Sequence, residues 1–292
     1  MNQSVPQVAV LLAVYNGISF LEEQLTSILQ QDGVICTIFI SVDLSTDDSY
    51  QWCCRYAATH PQIKVLDYGQ TFGGAAANFY RLIKDVNFAG FDFIALSDQD
   101  DIWLTDKLRR ACARLNTENF AAYSGNVTAF WEDGRQLRIH KAQPQRQYDY
   151  LFEAAGPGCT YVLRTAPMLQ FKALLQAQKQ KTAQISLHDW FIYAFFREKG
   201  LQWFIDPEPM LLYRQHSHNQ VGIHKGWQAI CKRFKLLHKG WCKQQVLKIA
   251  DLVAHHDLNV HSRLTILKNI SQLRRRRRDR WILFLIALVG LY

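Results

Sequence analysis

The sequence predicts an α/β fold on a doubly wound, mostly parallel sheet, and three observations carry that expectation. First, four short apolar runs rich in Val, Ile and Phe recur through the N-terminal half. They are VAVLLAV (Val8–Val14), TIFISVD (Thr37–Asp43), IKVLDY (Ile63–Tyr68) and FDFIAL (Phe91–Leu96). Such runs suit strands that are covered on both faces. Second, helical stretches separate them: FLEEQLTSILQQ, DDSYQWCCRYAATH and NFYRLIKDV, the last with Phe79, Leu82, Ile83 and Val86 on one face. Strand–helix–strand repetition implies right-handed crossovers. Third, polar residues fall where the runs end: Asn16 after the first, Asp43 closing the second and SDQDD (97–101) after the fourth. Open α/β sheets bind ligands beyond the carboxyl ends of their strands, so these positions converge on one expected site.

Past Phe120 the texture changes. AAYSGNVTAFW reads as one further strand, followed by a polar, loop-rich insert to about Tyr150. AGPGCTYVLR gives a turn and a strand, and Met168–Gln180 a Gln-rich helix. HDWFIYAFFREKG is strongly helical, and LQWFIDPEPMLLYRQH gives a strand, a Pro-marked turn and another strand. A long basic helix is expected from Gly226 to about His256. The expected division is one domain over residues 1–225 and a helical, basic, membrane-associating region over 226–292.

Composition bounds the function classes. The chain has 292 residues, 49% hydrophobic and 13% aromatic, which excludes a disordered protein. Its net charge of +9 is uneven, because GIHKGWQAICKRFKLLHKGWCKQQ and LRRRRRDR hold most of the surplus. That concentration implies an anionic partner. Seven cysteines without a C-x-x-C pair read as reduced, structural thiols of a cytosolic protein rather than a zinc site. The N-terminus lacks the basic n-region of a signal peptide. The terminal WILFLIALVGLY is twelve residues, too short for a helix to span a bilayer, which takes about 20.

The densest chemistry lies in SDQDD. Carboxylates this close repel one another unless a cation or hydrogen-bond donors offset them. In an extended or turning segment Asp98 and Asp100 can point to one side, and such an oxygen-rich loop suits Mg²⁺ or Mn²⁺. The plainer reading makes Asp100 or Asp101 the cap of a helix running through WLTDKLRRACARL.

Taken in order, VAVLLAVYNG, SVDLSTDDS, GQTFGGAAANF, FIALSDQDDIWLTDKL, HDW and YRQHSHNQVG resemble the family 2 glycosyltransferases of the GT-A fold. More narrowly, residues 7–225 are similar to the bacterial rhamnosyltransferase-like branch that builds O-antigen and other surface polysaccharides. The resemblance implies that Asp98 lies near ribose and metal, that Asp100 is the main metal ligand, and that His216 is a metal or phosphate ligand. It places Ala13 to Tyr15 at the nucleotide base, with the Tyr15 ring against it and Asn16 among the nucleotide-sugar contacts, and makes Asp43 the acceptor of the pyrimidine N3–H. Gly73 and Asn78 fall near the nucleotide sugar, and Arg214 would fork two phosphate oxygens. Asp189 in HDW would be the base that deprotonates the acceptor hydroxyl, a role compatible with capping its helix. Where the family has D-D-G-S this chain has Val42–Asp43–Leu44–Ser45, which removes an easy positive-φ residue. Asp47 and Asp48, with Ser45 or Thr46, are expected to cap the helix that follows.

The tail adds a location. Trp227, Ile230, Phe234, Leu237 and Trp241 recur every three or four residues among lysines and arginines, as in a helix lying on an anionic membrane surface. The arginines at 274–278 beside WILFLIALVGLY reinforce that reading, with core packing or dimerisation as the alternative. Nucleic acid is not expected, since the basic residues lie among large aliphatics. The expected protein is a metal-dependent, inverting glycosyltransferase, peripheral at the cytoplasmic face of the plasma membrane. It would move rhamnose from dTDP-rhamnose, or another sugar from a UDP-sugar, onto a polyprenyl-diphosphate-linked glycan. The alternatives are a metal-dependent phosphohydrolase or nucleotidyltransferase, which would need a further carboxylate, and a catalytically degenerate membrane-bound scaffold.

Overall fold

A computed structural model describes residues 4–216, 240–253, 257–290 and 292. The first half alternates as expected: β1 (Gln7–Val14), α1 (Ile18–Leu29), β2 (Ile35–Val42), α2 (Ser49–Thr59), β3 (Ile63–Val65), α3 (Ala75–Asp85) and β4 (Phe93–Ser97). Then come β5 (Ile102–Trp103), α4 (Lys107–Thr117), β6 (Ala122–Gly125), β7 (Val127–Phe130), β8 (Gln136–Ile139) and β9 (Val162–Arg164). Helices α5 (Thr165–Ala177), α6 (Lys179–Thr182) and α7 (His188–Glu198) precede β10 (Trp203–Asp206) and β11 (Leu211–Arg214).

Seven strands form the main sheet in the order β10-β6-β9-β4-β1-β2-β3, parallel except for β9, which runs antiparallel to both β4 and β6. Alternate residues of β1 divide between two cores. Ala9 and Leu11 join one buried cluster, and Val8, Val10, Leu12 and Val14 join the other. Both faces of the sheet are therefore covered, which is why its strands read as unbroken apolar runs.

The expected single strand AAYSGNVTAFW is instead two strands in two sheets. Asn126 is the corner between β6 and β7. It is buried, its N–H donates to the Asp206 carbonyl at 3.0 Å, and its Oδ1 accepts from the Lys141 N–H at 2.6 Å and the Ala142 N–H at 3.1 Å. An apolar run cannot show such a corner, because the one interrupting residue satisfies itself by contacts distant in sequence. β7 then belongs to a second sheet, β5-β11-β7-β8. The polar insert contains β8, which pairs antiparallel with β7 around Asp133–Gly134. Its exposed Gln136, Leu137 and Arg138 carry no apolar alternation, so the strand was hidden.

The tail contributes α8 (Trp241–Val253), α9 (Arg263–Lys268), α10 (Ile270–Leu273) and α11 (Arg277–Leu288). Trp227, Ile230, Phe234 and Leu237 of the expected basic helix lie outside the described residues. Val246, Ile249, Leu258, Ile266, Leu273, Leu283, Ala287 and Tyr292 join the same buried cluster as Phe79, Phe191 and Trp203. The arginine run also reaches inward. Arg275 is 3% exposed and its Nη1 donates to Asp149 Oδ2 at 3.2 Å. Asp149 is fully buried and also accepts from Arg197 at 3.1 Å and from the Tyr193 hydroxyl at 3.1 Å. No helix among the described residues is long and apolar enough to cross a membrane.

Candidate active site

Register alone brings the polar strand ends together. Val14 lies opposite Val42 on β2, and Leu12 opposite Ser97 on β4. Tyr15, Asp43 and Asp98 therefore emerge side by side from three neighbouring strands.

On the β1–β2 side, Asp43 is 4% exposed. Its Oδ1 accepts from the Leu44 and Phe72 N–H groups at 2.8 Å each, and its Oδ2 from the Gly73 N–H at 3.2 Å. The carboxylate thus folds the GQTFGG loop back over the strand end, and Gly73 (φ +79°) and Gly74 (φ +155°) supply the backbone angles for that return. Leu44, standing where the family has glycine, is not at a positive φ, so the substitution costs no backbone strain. Asn16 carries the unusual angle instead, at φ +47°, and its Oδ1 accepts from the Thr46 N–H at 2.7 Å. An asparagine tolerates that region better than most residues. Asn78 is buried beneath them. Its amide accepts from the Ser41 hydroxyl and donates to the carbonyls of Ser41 at 3.0 Å and Val14 at 3.3 Å, bracing α3 against β1 and β2. Ala13 is half-buried and Tyr15 is 53% exposed at the rim. Asp47 caps two helices at once, accepting from the Ser49 N–H at 3.1 Å and the Ile18 N–H at 3.2 Å.

The acidic loop is not a helix cap. Strand β5 intervenes, and α4 begins only at Lys107 behind Asp106. Gln99 fastens the loop to β1: its Oε1 accepts from the Tyr15 N–H at 2.7 Å and its Nε2 donates to the Tyr15 carbonyl at 2.9 Å. A Cβ on Gly17 would come within 2.6 Å of the Gln99 Cδ, so that glycine leaves room for the clasp. Asp98, Asp101 and Cys159 bring ligand atoms within 4.8 Å of one another. Asp101 is 1% exposed and its Oδ2 has no hydrogen-bond partner among the described residues. Asp100 turns the other way, with its Oδ2 2.7 Å from His216 Nε2, and the His216 ring stacks on Phe20 at 4.8 Å. The expected trio of Asp98, Asp100 and His216 is therefore divided into two adjoining groups. Desolvation, with repulsion from Asp100, raises the carboxyls of both Asp98 and Asp101.

This donor set fits a hard divalent cation. It offers carboxylate oxygens and an orphaned buried Oδ2, while the soft Cys159 sulfur is not a ligand that such a cation prefers. Lys107 completes the floor. It is fully buried, its ammonium lies 3.2 Å above the Trp103 ring, and desolvation brings its pKa down to about 7.

Arg214, at the end of β11, reaches the same loop. Its Nε donates to the Asp100 carbonyl at 2.9 Å, its N–H to Asp101 Oδ1 at 3.3 Å, and its guanidinium also meets Glu23. Asn219, further along that segment, lies outside the described residues.

Asp189, in the first turn of α7, lies against Gly158, the chain neighbour of the Cys159 that adjoins Asp98 and Asp101. It is close enough to raise the Asp98 carboxyl, behind the larger effects of burial and Asp100. Leu187 holds the cap position, and Asp189 Oδ1 accepts from the Trp190 N–H at 2.8 Å. Desolvation pushes its pKa up to about 6, against the opposing pull of the Trp190 N–H and the Lys141 ammonium. The neighbouring His188 is no rival base: it is buried, stacked on Phe79 at 4.0 Å, and desolvated down to a pKa of about 3. Trp190 anchors the turn through its indole N–H to the Tyr150 carbonyl at 2.9 Å, and the Tyr161 hydroxyl donates to the Asp189 carbonyl at 3.3 Å.

Sequence reasoning missed Gln99, Cys159, Lys107 and Lys141. Gln99 was legible as the polar middle of SDQDD. The other three look like ordinary core or loop residues until the chain folds.

The fold and this edge define a nucleotide-sugar transferase of the GT-A type, and the comparisons agree. The model of glycosyl transferase family 2 matches residues 9–201. The dTDP-rhamnosyl transferase RfbG of Shigella flexneri is 41% identical over 290 residues, covering 96% of this chain and all of its own. The chain belongs to glycosyl transferase family 2 and is a glycosyltransferase that uses a nucleotide-sugar donor. Two solved structures share its fold. TarS of S. aureus in complex with UDP-GlcNAc has a TM-score of 0.56 at 14% identity, covering 98% of this chain and 80% of that one. The mannosyltransferase PcManGT of Pyrobaculum calidifontis, in complex with GDP-Man and Mn²⁺, has a TM-score of 0.52 at 16% identity, covering 98% and 87%.

Proposed function

We propose that this protein transfers rhamnose from dTDP-rhamnose, with inversion, to a polyprenyl-diphosphate-linked glycan in surface-polysaccharide synthesis. It works at the cytoplasmic face of an anionic membrane. The observation that carries the reading is the meeting of Asp43, the aspartate loop and Asp189 at one sheet edge, in a chain 41% identical to a dTDP-rhamnosyl transferase.

Residues 1–225 serve as the catalytic domain, and 226–292 complete its core while meeting the membrane. Ala13, Tyr15 and Asn16 border the base, and Asp43 faces its N3–H with the oxygen capacity left by three backbone donors. Gly73 allows close backbone approach to the nucleotide, and Asn78 acts by fixing that wall. Asp98 and Asp101 would hold Mg²⁺ or Mn²⁺ from one group and Asp100, backed by His216, from the adjoining one, and Arg214 would neighbour the diphosphate. The cation would offset the charge of the departing nucleoside diphosphate. Asp189 takes the proton from the acceptor hydroxyl, whose oxygen bonds to the anomeric carbon as the bond to the diphosphate oxygen breaks. Product sugar leaves inverted, with dTDP.

Asp100→Asn is expected to weaken Mn²⁺-dependent dTDP binding by about 10- to 100-fold in calorimetry. Unchanged Mn²⁺ stimulation would remove Asp100 from the metal site. Gly158→Ala tests how Asp189 is placed, because its Cβ would come within 2.6 Å of His188 Nε2 and 3.3 Å of Asp189 Cβ. Displacing the HDW turn should lower kcat by about 100-fold with dTDP affinity unchanged, since misplacements of about 1 Å have that effect. A wild-type kcat would show that the turn absorbs the methyl without moving the carboxylate.

A further inference from the structure

Helix α11 has two unlike faces. Leu283 and Ala287 are 8% and 0% exposed and belong to the core. On the other side Trp281 (68%), Ile282 (46%), Leu285 (56%), Leu288 (49%) and Val289 (66%) stand exposed. They lie 3, 4, 7, 10 and 11 residues beyond Arg278, the spacing of a single helical stripe. An apolar stripe normally turns inward, but here a separate apolar pair packs inward and the larger stripe is left uncovered by the described residues.

The arginine run divides in the same way. Arg275 turns in to Asp149, to the Ala154 carbonyl at 2.6 Å and, through its N–H, to Glu153 Oε1 at 2.6 Å. Arg277 and Arg278 are exposed, and Arg278 has its side chain 78% exposed with Asp279 at 3.6 Å. By helical spacing both fall on the side of Trp281 and Leu285.

We infer that this outer face is the docking surface for an anionic lipid bilayer, with α11 lying in the membrane plane. Trp281, Leu285 and Leu288 enter the acyl boundary, and Arg277 and Arg278 meet headgroup phosphates. The inference rests on the membrane-surface reading above and assigns that surface. A helix of 12 residues rises about 18 Å, well short of the ~30 Å hydrocarbon core, so it lies flat rather than spanning. Charge selects lipid over a second copy of the chain. Self-pairing would press two arginine-rich faces together in a protein of net charge +9, whereas anionic headgroups neutralise them. Arg275 makes the docking consequential. Through Asp149 it ties the start of α11 to Arg197 of α7, the helix whose first turn carries Asp189. A bilayer under α11 thereby sets the height of the catalytic helix above the lipid surface.

Deleting the tail would remove Arg275 and core residues, so the test uses substitutions on the outer face of the full chain. Flotation with phosphatidylglycerol-containing vesicles is compared for wild type, Trp281→Ser with Leu285→Ser, and Arg277→Gln with Arg278→Gln. The apolar pair is expected to bind vesicles at least tenfold more weakly, or about 1.4 kcal/mol. The arginine pair is expected to lose preference for anionic over phosphatidylcholine vesicles, and both variants to keep the wild-type melting temperature. Wild-type vesicle binding by the apolar pair, or no binding by the wild type, overturns the inference. So does a wild-type dimer that dissociates in the variants. Calorimetry of dTDP on the same preparations separates the two claims: absent dTDP binding counts against the functional reading and leaves the vesicle result standing.

Discussion

Replacing Asp189 with asparagine should lower the rate of sugar transfer by about 10²–10⁴-fold while dTDP affinity stays near wild type. The expectation follows from placement. Asp189 lies in the first turn of α7, bonded by the Trp190 N–H and the Tyr161 hydroxyl, and the Trp190 indole pins that turn to the Tyr150 carbonyl. Asparagine is isosteric and can keep these contacts, but it cannot take a proton. The same carboxyl sets a pH dependence. With its pKa raised by desolvation to about 6, the base is ionised above that pH and protonated below it. The rate should therefore fall as pH drops through about 6, a limb absent from the residual activity of the Asp189→Asn variant, whose chemistry lacks the titrating group. Near-normal turnover in Asp189→Asn would remove Asp189 as the base, and a rate flat down to pH 5 would remove the titration as its cause.

The second large effect concerns stability. Asp149→Ala is expected to cost about 3–5 kcal/mol, because it leaves the guanidinium groups of Arg197 and Arg275 without their buried counter-charge. For a chain of this size that lowers Tm by on the order of 10 °C in a thermal melt. Asp149 also accepts from Tyr193, so one residue joins the insert, α7 and the arginine run. Arg275→Met in the Asp149→Ala background should recover part of the loss by removing one stranded charge. An unchanged Tm in Asp149→Ala would mean that the tail docks without this ion pair.

Much of the architecture was legible because both faces of the sheet are covered. Strands such as β1 and β4 show as apolar runs, and the polar residues at their ends mark the edge where the candidate site forms. Asp43 and Asp98 stood out because each follows a strand, whereas Asp189 was marked by the likeness of HDW to the family's motif. What stayed hidden depends on contacts distant in sequence. Asn126 turns the chain between sheets through bonds to Asp206 and Lys141. Cys159 looked like one more structural thiol until the 3-10 turn at Gly158–Thr160 carried it to Asp98 and Asp101. The arginines at 274–278 read as one polybasic patch, since sequence does not disclose that Asp149, buried far upstream, draws Arg275 inward and leaves Arg277 and Arg278 outside. Phe20 was read as helix, but its stacking on His216 follows only from how β11 delivers that segment.

On the proposed function, the carboxyl edge of this sheet is a nucleotide-diphosphate site completed by a divalent cation. Calorimetric titration of the full chain with dTDP and with UDP, each with Mn²⁺ and with a chelator, tests it most directly. Saturable binding that needs Mn²⁺ and favours dTDP over UDP is the expected result. Absence of binding to either nucleotide in the presence of Mn²⁺ would contradict it.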